Sequence, residues 1–401
     1  MLDSLEPWYT GAMRFPKNAS FAVVCVWLAS NCAGQKPAGP PVEPPMLGIH
    51  WQHGVDRPKG VSQGASGGTK NSPCSDCMTY HGGRVLPTTR VLPIFWGTSW
   101  NKASFVQDKI TGIDNWYTNY PGSDYEIGTM SEYCSGTGMT GSLTCSGANP
   151  LWIETPANNG ASGVSYHSGD YQVDQTKASS GSKTANILNE VCREIQAKVT
   201  ANPNTFSPGA NDYYPVYVDL PISGGFCAYH SYGTCSYKNS GGTSSSVSIQ
   251  FGFFWNADGN AGCAAGDGPF TAPEPSAQNP TYQGSVLTGH SEGLASLIDS
   301  TVHELSETRT DPGSPTAWID SGGQEDGDKC EWNTGYPGQN LSSGVPVVSF
   351  GDGTKWVMQP EWSNKAAMSN GLIYGEQSRS RKGTATGSYG CVYGTRAPLW
   401  E

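Results

Sequence analysis

Charge is scarce in this chain. Asp, Glu, Lys and Arg make up 14% of its 401 residues, and the formal net charge of -11 comes from scattered acids. The only dense basic run is Arg379, Arg381 and Lys382. It is too short to follow a phosphate backbone, which excludes nucleic acid as an expected partner. The apolar run at residues 21 to 29 is far shorter than the roughly 20 residues that cross a bilayer, so no transmembrane span is expected. Internal repeats are absent as well. Histidine is rare, with seven in the chain and none after His303.

What is plentiful is Gly (52), Pro (28), Tyr (19) and Trp (13), the composition of a loop-rich exported protein. Arg14 and Lys17, the apolar run and the small residues up to Gly34 follow the order of a secretory signal. Residues 1 to 34 are therefore expected to be a signal peptide, with Met13 as the start, and the protein to be extracellular. Asn31 stands before Cys32 where a lipoprotein site wants a small residue, so anchoring at Cys32 is not expected. Without Cys25 and Cys32, ten cysteines remain, an even number that reads as disulfides in an exported chain. Cys74 and Cys77 have the spacing of half a zinc knuckle, but no second pair completes one.

Residues 35 to 70 are rich in Pro, Gly and Ser and read as a linker. From 71 to 401 the pattern fits one domain. RVLPTTRVLPIFWG, DYYPVYVDLPI and SVSIQFGFFW read as strands, and SFVQDKITGIDNWYTNY, ILNEVCREIQAKV and residues 291 to 309 as helices. The expected fold class is α+β: a single secreted, disulfide-containing, monomeric domain, with a zincin-like mixed sheet and an active-site helix.

Two motifs lie on the third helix. Gly289-His290-Ser291-Glu292-Gly293 matches a nucleophile elbow. The histidine such a serine needs could only be His303, twelve residues along the same helix, about 18 Å away at 1.5 Å per residue. Ser291 is better read as a helix cap. HELSETRTDP, starting at His303, is the sharper signal. His303 and Glu307 lie one turn apart on one face, the spacing by which zinc peptidases hold their metal, and Glu304 has the place of the general base. Glu307 stands where the usual motif has a second histidine. Leu294, Ile298, Thr301, Val302 and Leu305 share a core face; Ser296, Asp299, Ser300, His303 and Glu307 share the opposite one, where small side chains leave room for an approaching group.

AWIDSGGQEDGDKCEW follows the helix. Glu325, twenty-two residues after His303, stands where a returning third metal ligand is expected, and Asp328 and Asp320 are placed to orient ligands. A loose calcium loop is the competing reading of the same acids. His230, in FCAYHSY, is a candidate for polarising a substrate carbonyl or for a further ligand. The expected cofactor is Zn2+, with another divalent metal or Ca2+ as alternatives.

Tyr80-His81-Gly82-Gly83 before RVLPIFWG, Cys227-Ala228-Tyr229-His230, His303-Glu304-Leu305 with Glu307, Asp311-Pro312 and Cys330 together resemble the secreted phosphate-induced, or EXORDIUM-like, family. That resemblance implies an extracellular protein tied to the cell wall, and it brings no established catalytic residues. Two functions are therefore expected to compete: a secreted metal-dependent hydrolase, most simply a zincin-like peptidase acting on protein or peptide, and a non-catalytic protein associated with extracellular polysaccharide.

Overall fold

Alternation along the strand Asp212–Pro221 organises the molecule. Tyr213 and Tyr217 point into one apolar cluster, while Tyr214, Val216 and Val218 point into another on the opposite side. A strand buried on both faces must lie inside a sheet with layers on either side. The computed structural model describes residues 43–55, 74, 77–239, 241–264, 288–331, 346–369, 390–395 and 399–400. Glu43–Glu401 form one compact unit. The expected signal peptide, residues 35–42 and 56–70 of the expected linker and the basic run at 379–382 lie outside the described residues.

The fold is mixed α/β. Its main sheet runs, in order, Leu47–Trp51, Phe226–Lys238, Ser244–Asn256, Asp212–Pro221, then Thr89–Val91 with Ile94–Trp96, bordered by Val164–Ser165 and Gln172–Asp174. The first two neighbouring pairs are antiparallel and the remaining pairs parallel. The helix Thr184–Ala201 covers one face through Ile187, Val191, Ile195 and Val199. The other face carries Glu292–Thr310 and Lys109–Asn119, whose Leu294, Ile298, Val302, Leu305, Ile113 and Trp116 share one cluster with Phe95, Tyr217 and Phe254.

Two expectations are corrected here. Composition assigned residues 35 to 70 to a linker, yet Leu47–Trp51 is an edge strand, pairing Leu47 with His230 and His50 with Ala228. A register irregularity between Leu47 and His50 lets both bury while the strand pairs its backbone with the neighbouring hairpin. The small residues on the polar face of the central helix Glu292–Thr310 were expected to leave it open to an approaching group. Instead every residue from Gly293 to Thr310 is buried. On the side away from the sheet it is covered by the short helix Asp326–Cys330 and by the segment around Gln359. Its polar residues are therefore interior groups, and each requires a partner.

All ten cysteines outside the N-terminal segment are paired: 74 with 77, 134 with 145, 192 with 235, 227 with 263, and 330 with 391. No helix among the described residues is long and apolar enough to cross a membrane.

Candidate metal centre

The central helix starts and stops by local chemistry. Ser291 caps it, its hydroxyl accepting from the Leu294 N–H at 3.1 Å. At the other end Pro312 cannot continue the ladder, and Asp311 turns its carboxylate to the Ala317 N–H at 2.9 Å. Between these ends the i, i+4 spacing brings His303 Nε2 to 3.2 Å from Glu307 Oε1.

Three other elements converge on Glu307. On the strand Phe226–Lys238, His230 lies two residues beyond Ala228 and so faces the helix. Its Nδ1 is 3.4 Å from Glu304 Oε2 and 3.6 Å from Glu307 Oε2. The short helix Asp326–Cys330 is fixed by a reciprocal cap between Glu325 and Asp328 and by the Cys330–Cys391 bridge. From it the Asp328 N–H donates to Glu307 Oε1 at 2.8 Å. The edge strand brings Gly48, where a Cβ would stand 1.8 Å from Glu307 Oε2 and 2.6 Å from His230 Nδ1. Only glycine allows that approach. Gly327 closes the other side, its Cβ position 3.0 Å from Glu307 Oε1.

The outer nitrogens of both imidazoles are engaged. His230 Nε2 is 3.2 Å from the Asp311 carbonyl, which can only accept, so Nε2 carries a proton. His303 Nδ1 is 3.3 Å from Gln359 Oε1. The Gln359 amide is oriented by its own donations to the Gly327 carbonyl and Glu361 Oε1, each at 3.2 Å, so its oxygen accepts from His303. The inner nitrogens, His230 Nδ1 and His303 Nε2, both face carboxylate oxygens. Neither has a hydrogen bond of good geometry, nor do both oxygens of Glu304 or Oε2 of Glu307, and all are buried. Lone pairs aimed at carboxylates repel unless a proton or a cation lies between them.

The donor chemistry fits a metal. Neighbouring ligands on a tetrahedral ion with bonds of about 2.1 Å stand about 3.4 Å apart, close to the 3.2, 3.4 and 3.6 Å found between donors here. Two trios have donor atoms within 4.8 Å of one another in this region: His230, Glu304 and Glu307, and His303, Glu307 and Asp328. A ring N–H given to a backbone carbonyl or an amide oxygen is also how metal-bound histidines are held in orientation.

Proton affinities carry the same imprint. Burial by itself would lower His230, but Glu304 and Glu307 override it and push it up to about 10; His303 is likewise raised, by Glu307 above all. Burial pushes Glu304 up to about 8, against the pull of His230 and His303. It would also raise Glu307, but the two imidazoles hold that carboxylate well below its usual range. Around them, burial lifts Asp311 to about 8 and Asp299 and Asp326 to about 7, and drives Glu325 and Glu361 well above the carboxylate range. A buried acid excess of this kind is relieved by protons or by a cation.

The structure thus brings together His303, Glu307, Glu304, His230 and Asp328. Glu325 lies beside His230 Nε2, at 3.6 Å, and not beside His303. Asp320 accepts from the Gly322 and Gln324 N–H groups at 2.7 and 2.9 Å and pairs with Lys329 at 2.9 Å, so it fixes the turn. Sequence reasoning missed Gly48, His50 and Gln359. A third acidic trio, Asp174, Glu190 and Glu194, already holds a cation, since Arg193 pairs with all three. Compared with known protein families, with curated proteins and with solved structures, the chain matches none.

Proposed function

We propose that this protein is an exported metal-dependent hydrolase of the zincin-like peptidase kind, with its metal held around Glu307. The observation that supports this reading is the pair of inner imidazole nitrogens, His303 Nε2 and His230 Nδ1. Both are buried without a hydrogen bond and aimed at opposite oxygens of one carboxylate. Zinc suits a donor set of imidazole and carboxylate. When bound, such an ion polarises a substrate carbonyl and makes water more acidic.

The protein's own groups supply the rest. Glu304 has the raised proton affinity of a base that works near neutrality, and its Oε1 is without a hydrogen-bond partner. It takes a proton from attacking water and returns it to the leaving amine. His230 is locked by the Asp311 carbonyl and keeps Nδ1 turned toward the reacting region. Gly48 and Gly327 hold the Glu307 carboxylate from both sides.

A second reading has one observation in its favour. His230, His303, Glu304 and Glu307 are all fully buried, and closed metal sites are more often structural than catalytic. In that reading the ion stabilises a non-catalytic extracellular protein of the EXORDIUM-like type that associates with polysaccharide. One experiment separates the two. The purified protein is stripped with a chelator, reloaded with Zn2+ and offered a mixed peptide pool, beside the Glu304→Gln variant. Zinc-dependent cleavage that is lost in a variant still loading zinc supports the hydrolase. Zinc loading without cleavage, together with a zinc-dependent rise in thermal stability in both proteins, supports the structural reading. No zinc loading overturns both.

A further inference from the structure

Each oxygen of Glu307 faces a different imidazole. Oε1 stands 3.2 Å from His303 Nε2 and Oε2 stands 3.6 Å from His230 Nδ1. The imidazoles also fall in separate donor trios, one completed by Glu304 and the other by Asp328, with Glu307 the only member common to both. A single ion centred on either trio would leave the other imidazole nitrogen facing a carboxylate with only a proton to place between them. We propose that the cluster is a two-ion centre bridged by Glu307, with one divalent cation among His230 Nδ1, Glu304 and Glu307 Oε2, and a second among His303 Nε2, Glu307 Oε1 and Asp328.

Three features carry this beyond an acidic cluster. The inner nitrogens are wholly buried, lack hydrogen bonds and face different oxygens of Glu307. A carboxylate bridge naturally holds two ions about 3.5–4 Å apart, the separation at which paired metals clamp a reacting group. The surroundings are also rich in acid: Asp299, Glu304, Glu307, Asp311, Glu325, Asp326, Asp328 and Glu361 are all buried here. The nearby cation Arg309 is turned away, paired with Glu126 at 2.8 Å. Buried carboxylates without counter-charge are costly, and two dications offset four of them. Glu304 can ligate through Oε2 and keep Oε1 for proton transfer, so the two-ion centre is compatible with its role as base.

The inference rests on the metal-dependent reading above, and the test keeps the two apart. The full chain is stripped, titrated with Mn2+, and examined by elemental analysis and electron paramagnetic resonance; Asp328→Asn is treated in the same way. Two ions per chain with exchange-coupled manganese signals, falling to one ion and an uncoupled signal in Asp328→Asn, support the bridged centre. One ion per chain, or two with uncoupled signals, overturns it and leaves the metal-dependent reading standing. No bound ion overturns both. Should Asp328→Asn fail to fold, the coupling in the unaltered chain still decides.

Discussion

His50 lies flat on His303, with ring centroids 4.5 Å apart and planes 7° from parallel. The contact ties the N-terminal edge strand to the central helix and fixes the plane of an imidazole that Gln359 holds only at its outer nitrogen. Orientation of this kind sets ligand quality without contributing a ligand. His50→Ala is therefore expected to weaken zinc affinity by about tenfold while leaving His303, Glu307 and His230 in place. Competition against a chromogenic chelator measures it, and an unchanged affinity would show that the stack does not orient His303.

Gly48 tests how tightly the edge strand closes on the cluster. It has φ +40, and a Cβ would fall 1.8 Å from Glu307 Oε2. Gly54, further along the same segment, has φ +79 and nothing within 4 Å of a Cβ. Both alanine variants carry the cost of a left-handed conformation, about 1 kcal/mol. Only Gly48→Ala also displaces a ligand. Gly54→Ala is expected to lose that backbone term and keep full metal binding; Gly48→Ala is expected to lose several kcal/mol in denaturant titration and to abolish metal loading. Equal behaviour of the two would mean that Glu307 has room to move.

These residues show which parts of the site the sequence could reveal. His303, Glu304 and Glu307 were legible because helical spacing alone places them together. Ser291 as a cap and Asp311-Pro312 as a stop were legible for similarly local reasons; that the cysteines pair was legible from their even number, but not which joins which across separations as long as 61 residues. His230 could be singled out, yet its contact with Glu307 spans 77 positions and is set by the pairing of the edge strand and hairpin, which no local pattern encodes. His50 was hidden by the Pro-rich composition around it, although the five-residue strand LGIHW was a usable signal. The helix was read as two-faced because its polar residues share one side. The covering layer that buries them comes from residues 326–330 and 359, after the chain has turned back.

Gln359 offers a test of tautomer control. Its Oε1 accepts from His303 Nδ1 and its amide donates to Gly327 and Glu361. Gln359→Leu keeps the approximate volume but removes all three interactions. The expected result is a 10- to 100-fold fall in metal affinity, roughly the effect of losing an outer hydrogen bond to a ligating histidine. Gln359→Glu should recover part of the loss, since a carboxylate still accepts from Nδ1. A Leu variant as tight as the original would assign the tautomer of His303 to some other contact.

The metal-free protein should lose stability across the pH range where most proteins are comfortable. Glu304 and Asp311 are raised to about 8, and Asp299 and Asp326 to about 7, from ordinary values of 4.5 and 3.8. A carboxyl whose folded pKa lies above its unfolded one takes up a proton on folding, so its contribution to stability is lost as pH rises from the unfolded to the folded value. His230, raised from 6.5 to about 10, has the same sign: its contribution is full below 6.5 and disappears as pH climbs toward 10. Glu307, held below its usual range, runs the other way and loses its contribution only in strong acid. The sum is a stripped protein most stable in weak acid, near pH 4 by rough reckoning, and progressively weaker up to about pH 9. Zinc replaces those protons, so loaded protein should lose far less over the same range, and loading itself should tighten with pH. Denaturant titrations at several pH values, with and without zinc, measure both curves. If the stripped protein instead grew more stable from pH 5 to 9, the buried groups would not be holding protons, and the case for a cation in their place would lose its electrostatic ground.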